Sequence, residues 1–174
     1  QAVVPWVWQN GGRLLDETTG LSGMAEPECV EAMQFLHDLL HVEKVASFDA
    51  SFQNQLSQGL FQAGRVAVYG PVGSWETYRF KHIEDFRWDV APLPRGKEAA
   101  TAIAMTIFVD PRTSRHPELA AEFITWLAGE EYQRVLARIG NGVPGLVSAA
   151  TSEDFLKPDV LPESERVFLE AMEH

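Results

Sequence analysis

A single cysteine, Cys29, stands among 174 residues, so no intrachain disulfide can staple this chain. No apolar run approaches the roughly 20 residues that span a bilayer. Basic residues are scarce: 14 Lys and Arg stand against 25 Asp and Glu, for a formal net charge of −11. Nucleic acid and anionic membrane surfaces both need clustered Lys and Arg, so this balance argues against either as a partner. The chain has no internal repeat and no low-complexity linker. It also lacks a dinucleotide fingerprint, and Gly64, Gly70 and Gly73 are spaced too loosely to cradle a phosphate. His37 and His41 lie four apart on a helical pattern, but no third ligand completes a metal set, so they read as solvent-side histidines. No cofactor or metal is expected. Cys29 falls within an amphipathic helical pattern and reads as a packed thiol, not a nucleophile.

What remains is an ordinary globular composition, 45% hydrophobic and 22% charged, of a length that suits one domain or a large piece of a two-domain protein. Val3 to Trp8 is a short β-prone run carrying Trp6 and Trp8, stopped by Gln9-Asn10-Gly11-Gly12, where paired glycines make a turn. Two readings fit these tryptophans: core residues beside a surface turn, or rings carried to a polar tip. Pro27 fits the first turn of a helix. Val30, Met33, Leu36 and Leu40, flanked by Phe35 and Leu39, give that helix a wide apolar face. A second helix is predicted over 51–63, with Phe52, Leu56 and Leu60 at intervals of four and Gly64 placed to end it.

Val66 to Tyr69 then reads as a short buried strand, and Gly70-Pro71 breaks it. Ser74 can cap the next helix, at whose start Trp75 stands. Arg87 to Leu93 is predicted as a strand, and so is Ile103 to Val109, nearly all apolar and therefore expected to be buried on both faces. Pro117 opens a helix with Leu119, Phe123, Trp126 and Leu127 expected inward. Gly129 breaks it. Glu130 to Ile139 resumes with Tyr132, Leu136 and Ile139 as its stripe, and Gly140 ends it. Ser152 can cap a short helix, and Pro162 is expected to open the last. Trp88 and Trp126 read as core. Alternating strands and helices indicate an α/β architecture. The four or five strands visible are too few for a complete doubly wound sheet, which suggests a fragment.

The order of these segments resembles the extracellular solute-binding proteins, family 1, of bacterial ABC importers. The resemblance is carried by Trp6-Val-Trp-Gln-Asn-Gly-Gly12, the helix around Glu31 to Leu40, Leu60-Phe-Gln-Ala-Gly-Arg-Val-Ala-Val68 and Gly70-Pro-Val-Gly-Ser-Trp75. It continues through Trp88-Asp-Val-Ala-Pro-Leu-Pro94, His116-Pro-Glu-Leu-Ala-Ala-Glu-Phe-Ile-Thr-Trp-Leu127 and Arg138-Ile-Gly-Asn-Gly-Val-Pro144. It implies a type II periplasmic-binding-protein-like α/β fold, mostly one lobe plus part of the second. Residues 1–102 would form the larger part of one lobe, 103–150 a crossing strand and helices of the other, and 151–174 return helices. The first portion of that other lobe and the family's terminal helices would lie outside this chain. Ala99-Ala-Thr-Ala-Ile-Ala-Met105 departs from the family, many of whose members carry glycines at this crossing.

Sugars present apolar C–H faces and a ring of hydroxyls, which aromatic planes and planar amides, carboxylates and Arg meet. Trp75 is the leading stacking residue, reached through Gly70-Pro-Val-Gly-Ser and matching the family's stacking aromatic. The alternative is a helix-start residue packed on Val68 or Phe80. Trp8, Asn10 and Trp6 follow from the turn similar to one that lines the cleft, and Asn141 and Arg138 from the second lobe. The resemblance implies non-catalytic binding of a carbohydrate by closure of two lobes, delivery to a membrane permease, and a periplasmic or cell-surface location, with a lipid anchor upstream of Gln1 as one mode of attachment. Two other functions compete. One is a glycosidase using paired carboxylates such as Glu76 and Asp89, although no compelling catalytic set accompanies them. The other is an interaction module that self-associates as a swapped dimer through exposed edges.

Overall fold

Pro5 decides the first element. In the first turn of a helix its missing N–H costs nothing and its fixed φ suits the helix. The computed structural model describes residues 3–47 and 55–173, and in it Val4–Gln9 forms helix α1 with Pro5 in that turn. The expected β-run is thus corrected: the β propensity of its Val and Trp residues yields to burial, because Val7 packs with Cys29 and Ala32 in a small core flanked by Leu14. Gly12 closes the turn against the same core, where a side chain would meet the Cys29 Sγ at 2.9 Å and the Val7 Cγ1 at 3.0 Å. Cys29 is buried and unpaired.

Helix α2, Pro27–His37, starts at its proline as expected and continues as a π-helical turn over Asp38–Val42. It buries Cys29 and Ala32, whereas Val30, Met33 and Phe35 are exposed. The side facing the core is therefore the narrow one of small residues. Helix α3 is Gln55–Gln62. The rest of the predicted second helix that precedes it, with Phe52, lies outside the described residues. Gly64 takes the left-handed conformation (φ 64°) that ends the helix.

Tertiary contacts divide the described residues into two units, one made of those up to 72 with 93–102, the other of 73–92 and 103–173. Residues 73–92 pack within the second unit. In the first unit, 93–102 is held to α1: the Glu98 backbone N–H donates to the Gln9 carbonyl (3.0 Å), and the Gln9 side-chain amide donates to the Ala100 carbonyl (2.9 Å).

In the second unit, Ser74–Glu76 is a 3-10 turn that runs into helix α4, Thr77–Phe80. Ser74 does not cap this element; Gly73 occupies the N-cap position, and the Ser74 carbonyl accepts from the Thr77 hydroxyl (2.7 Å). Phe80 is buried edge-on against Trp88 at 5.7 Å, so Trp88 is core, as expected. Helices α5, Pro117–Ala128, and α6, Glu130–Ile139, meet at Gly129. Gly140 ends α6 in a left-handed conformation (φ 73°). Two short helices, α7 (Val147–Ala150) and α8 (Glu153–Leu156), pack on α6. The last, α9, is Arg166–Glu170, four residues beyond the expected start at Pro162.

Two expectations about burial are corrected here. On α5 only Leu127 is buried. Leu119 and Phe123 are exposed, and Trp126, expected in the core, is 47% exposed, stacked at 6.0 Å on Phe123 and tilted at 5.3 Å on Tyr132. On α6 the buried residues are Gln133 and Ala137. Helical periodicity marks which residues share a face; it does not say whether anything covers that face.

Of the α/β expectation, the strands are not formed among the described residues. Among the described residues the only ladder contact is an isolated antiparallel bridge between Leu15 and Ser22. The predicted strands at 66–69, 87–93 and 103–109 run without a ladder. Ile103 to Val109, expected to be buried on both faces, is exposed on both: Met105, Ile107 and Val109 on one, Phe108 on the other. A strand exists only where another backbone takes up its N–H and C=O groups. Apolar β-branched sequence supplies the tendency to extend, and no segment among the described residues supplies that backbone.

Candidate functional site

The sequence-predicted binding residues fall in two groups, one in each unit. Trp6, Trp8 and Asn10 belong to the first unit; Trp75, Arg138 and Asn141 belong to the second.

In the first unit, α1 carries Trp6 and Trp8 on opposite sides. Trp6 is half-buried and tilted against Phe35 of α2 at 5.9 Å, while Trp8 is partly exposed. Asn10 is committed to structure. Its side-chain amide donates to the Glu28 carbonyl (2.7 Å) and to the Glu31 carboxylate (2.9 Å), tying the end of α1 to α2. Glu31 also accepts from Lys97 at 2.8 Å. The hydrogen bond from Lys97, then that from Asn10, hold the Glu31 carboxyl below its ordinary range. Both donor hydrogens of the Asn10 amide are thereby used, and its carbonyl oxygen is the atom left for other partners. Sequence reasoning missed Gln9 and Lys97, which fasten residues 93–102 to this turn. Nothing local marks them, because their partners lie 91 and 66 positions away, respectively.

In the second unit, the turn at 73–76 positions Trp75. Ser74, Glu76 and Thr77 are buried, and the Glu76 N–H donates to the Gly73 carbonyl at 3.1 Å. Between these fixed residues the Trp75 indole stands 41% exposed. Tyr78 is also exposed, with the Lys81 ammonium 5.7 Å from its ring centre. Lys81 in turn donates to the Ile139 carbonyl (2.6 Å) at the end of α6. The segment carrying Trp75 and Tyr78 is thus bonded to the residue between Arg138 and Gly140, beside Asn141. Arg138 is exposed and reaches Asp154 at 3.4 Å, which it shares with Arg134. Asn141 is exposed.

The carboxylates considered for hydrolysis are placed otherwise. Glu76 is buried with Arg79 at 3.8 Å. Asp89 accepts from the backbone N–H (3.0 Å) and hydroxyl (2.6 Å) of Ser164. Desolvation pushes the Asp89 carboxyl up, but hydrogen bonds from Ser164, Val90 and Glu163 together outweigh it and leave it below its ordinary range. A carboxylate held ionised by so many donors suits a structural anchor and is poorly poised as a general acid. Among the described residues no group of three or more His, Cys, Asp or Glu side chains could hold a metal ion, and no helix is long and apolar enough to cross a membrane.

This chain belongs to the bacterial extracellular solute-binding protein family, whose model matches residues 2–134. Among solved structures it is similar to an ABC substrate-binding protein, Lmo0181 from Listeria monocytogenes, in complex with cycloalternan, with a TM-score of 0.80 at 22% identity. The similarity covers 98% of this chain and 44% of that one, so the chain spans less than half the length of the protein it matches. At that identity the likeness speaks to fold. No curated protein matches the chain.

Proposed function

We propose that the protein carrying this chain is the non-catalytic, carbohydrate-binding component of a bacterial ABC importer, exported to the periplasm or cell surface. The observation that carries this reading is the exposed Trp75 indole, held by a buried turn in a chain of the solute-binding family. A flat apolar ring at the surface is what the C–H face of a pyranose stacks on. The structural neighbour's complex with cycloalternan adds support for an oligosaccharide as the ligand class.

Trp75 is the stacking platform in this reading. Trp8, Trp6 and Asn10 contribute from the α1 turn, the last through its carbonyl oxygen, and Arg138 and Asn141 from the end of α6. The whole protein takes the type II binding-protein fold and works by closing two lobes. The ligand stabilises the closed state by binding it more tightly than the open one, and the closed form delivers the ligand to a membrane permease.

Titration calorimetry of the full-length protein tests this with cycloalternan first, then a panel of linear oligosaccharides, monosaccharides and polyols. Saturable binding of at least one sugar is expected. Absence of both heat and thermal shift across the whole panel overturns the reading.

A further inference from the structure

Gly73 stands two residues before Trp75, and its backbone is extended, with φ −100° and ψ 176°. Any residue adopts that conformation, so the backbone does not require glycine here. The requirement comes from the indole. A methyl group on Gly73 would fall onto Cε3, Cζ3 and Cη2 of Trp75, overlapping the six-membered part of the ring. The indole therefore lies directly on the Gly73 backbone, in the space a side chain would fill. That backbone is itself held, through the hydrogen bond of its carbonyl with the Glu76 N–H and the buried Ser74–Thr77 contact that follows.

We propose that Gly73 is the positioning residue of the Trp75 platform: its bare backbone seats the inner side of the indole and leaves the ring available to ligand on the opposite side only. This rests on the reading of Trp75 as a stacking residue. The consequence is a one-sided site. Such a platform accepts the apolar C–H face of one sugar ring and cannot sandwich a ring between two faces of its own. It is also preorganised, so that no ring freedom is lost when the ligand arrives.

Gly73→Ala isolates this role. The backbone tolerates alanine, and the ring it displaces is the end of a side chain that can rotate away, so the fold is retained and the platform is lost. The test uses the full-length protein as wild type, Gly73→Ala, Trp75→Ala and the double variant. Near-UV circular dichroism and acrylamide quenching report the Trp75 indole with no ligand present, its share obtained by subtracting the Trp75→Ala signal. Calorimetry with cycloalternan, or with whichever panel sugar binds, reports affinity.

Gly73→Ala is expected to change the Trp75 signal, to leave the thermal midpoint within a few degrees of wild type, and to weaken binding about tenfold. In the Trp75→Ala background the same substitution is expected to cost nothing further. An unchanged indole signal in Gly73→Ala overturns the proposal, whatever the sugar data. A changed signal with wild-type affinity in Trp75→Ala instead overturns the stacking reading, and the positioning role falls with it. A loss of affinity in Gly73→Ala that persists undiminished in the Trp75→Ala background also overturns the proposal, because the glycine would then act on something other than the ring.

Discussion

Asp89 and Ser164 lie 75 positions apart and are joined twice: the Ser164 backbone N–H and its hydroxyl both donate to the Asp89 carboxylate, at 3.0 and 2.6 Å. This pair of hydrogen bonds fastens the start of the final segment, which carries buried Glu165 and α9, to the residues following Trp88. It turns a carboxylate that could have served chemistry into a clamp.

Asp89→Ala is expected to lower stability by about 1 kcal/mol. A hydrogen-bonded charge contributes roughly 1.5–3 kcal/mol when shielded, and solvent screening of this largely exposed group reduces that. The Asp89 carboxyl sits below its ordinary range when folded. Its contribution is therefore present above the unfolded-state pKa and lost as pH falls through the lower folded value. Urea titrations of wild type and Asp89→Ala at a series of pH values from 7 downward check this: the two proteins should differ at pH 7, and the difference should shrink steadily once pH falls below the ordinary carboxylate range.

Glu165 has the opposite sign. It is 2% exposed, and its Oε2 has no hydrogen-bond partner. Burial pushes its carboxyl up, and the charges of Lys157 and Lys81 only partly oppose that. The stability it contributes is present below the ordinary glutamate pKa and is lost as pH rises through the raised folded value. Glu165→Gln removes the charge and should raise the thermal midpoint at pH 7 relative to wild type, with the gain vanishing near pH 4. A lower midpoint at pH 7 would mean that pairing with the two lysines outweighs desolvation.

Gln133 joins the α5–α6 junction to the loop after α6. It is buried, donates to the Leu127 carbonyl (2.8 Å) and accepts from the Gly145 N–H (2.7 Å). Gln133→Ala strands the buried Leu127 carbonyl and leaves the N–H of exposed Gly145 to water, at a cost of about 1–3 kcal/mol from the one buried partner left unmet. Hydrogen exchange at Gly145 should quicken in parallel. A loss below about 0.5 kcal/mol would show that water replaces the amide.

Trp75 and Trp126 make a matched pair, since both are partly exposed. Trp75→Ala is expected to weaken sugar binding about tenfold, the scale of one aromatic contact, and to change stability little. Trp126→Ala breaks the stack with Phe123 and Tyr132 and should leave sugar affinity as it is in the wild type. Calorimetry on both variants separates them, and equal affinity losses would count against Trp75 as the platform.

The residues that shape the backbone were readable without coordinates. Pro27 and Pro117 open α2 and α5, and Gly64 and Gly140 end α3 and α6, because each acts through its own torsion angles or its own missing N–H. The order of motifs led to the family for the same reason. The candidate site was legible as residue types but not as partners. Asn10 looked like a free amide until Glu28 and Glu31 took up its donors, and Asp89 looked like a free carboxylate until Ser164 filled it.

The sequence by itself determined where this chain turns, where most of its helices start and stop, and which segments tend to extend. These are properties of a few neighbouring residues. Only the tertiary structure decided what is covered. It left Ile107, at 72% exposure, and Trp126 on the surface, where their hydrophobicity had suggested a core, and it put Pro5 and Val7 into a helix where β propensity had suggested a strand. It also laid Trp75 on Gly73, a contact that no spacing rule records. Burial and pairing need a second surface, and that surface lies far away in the sequence or in another segment altogether.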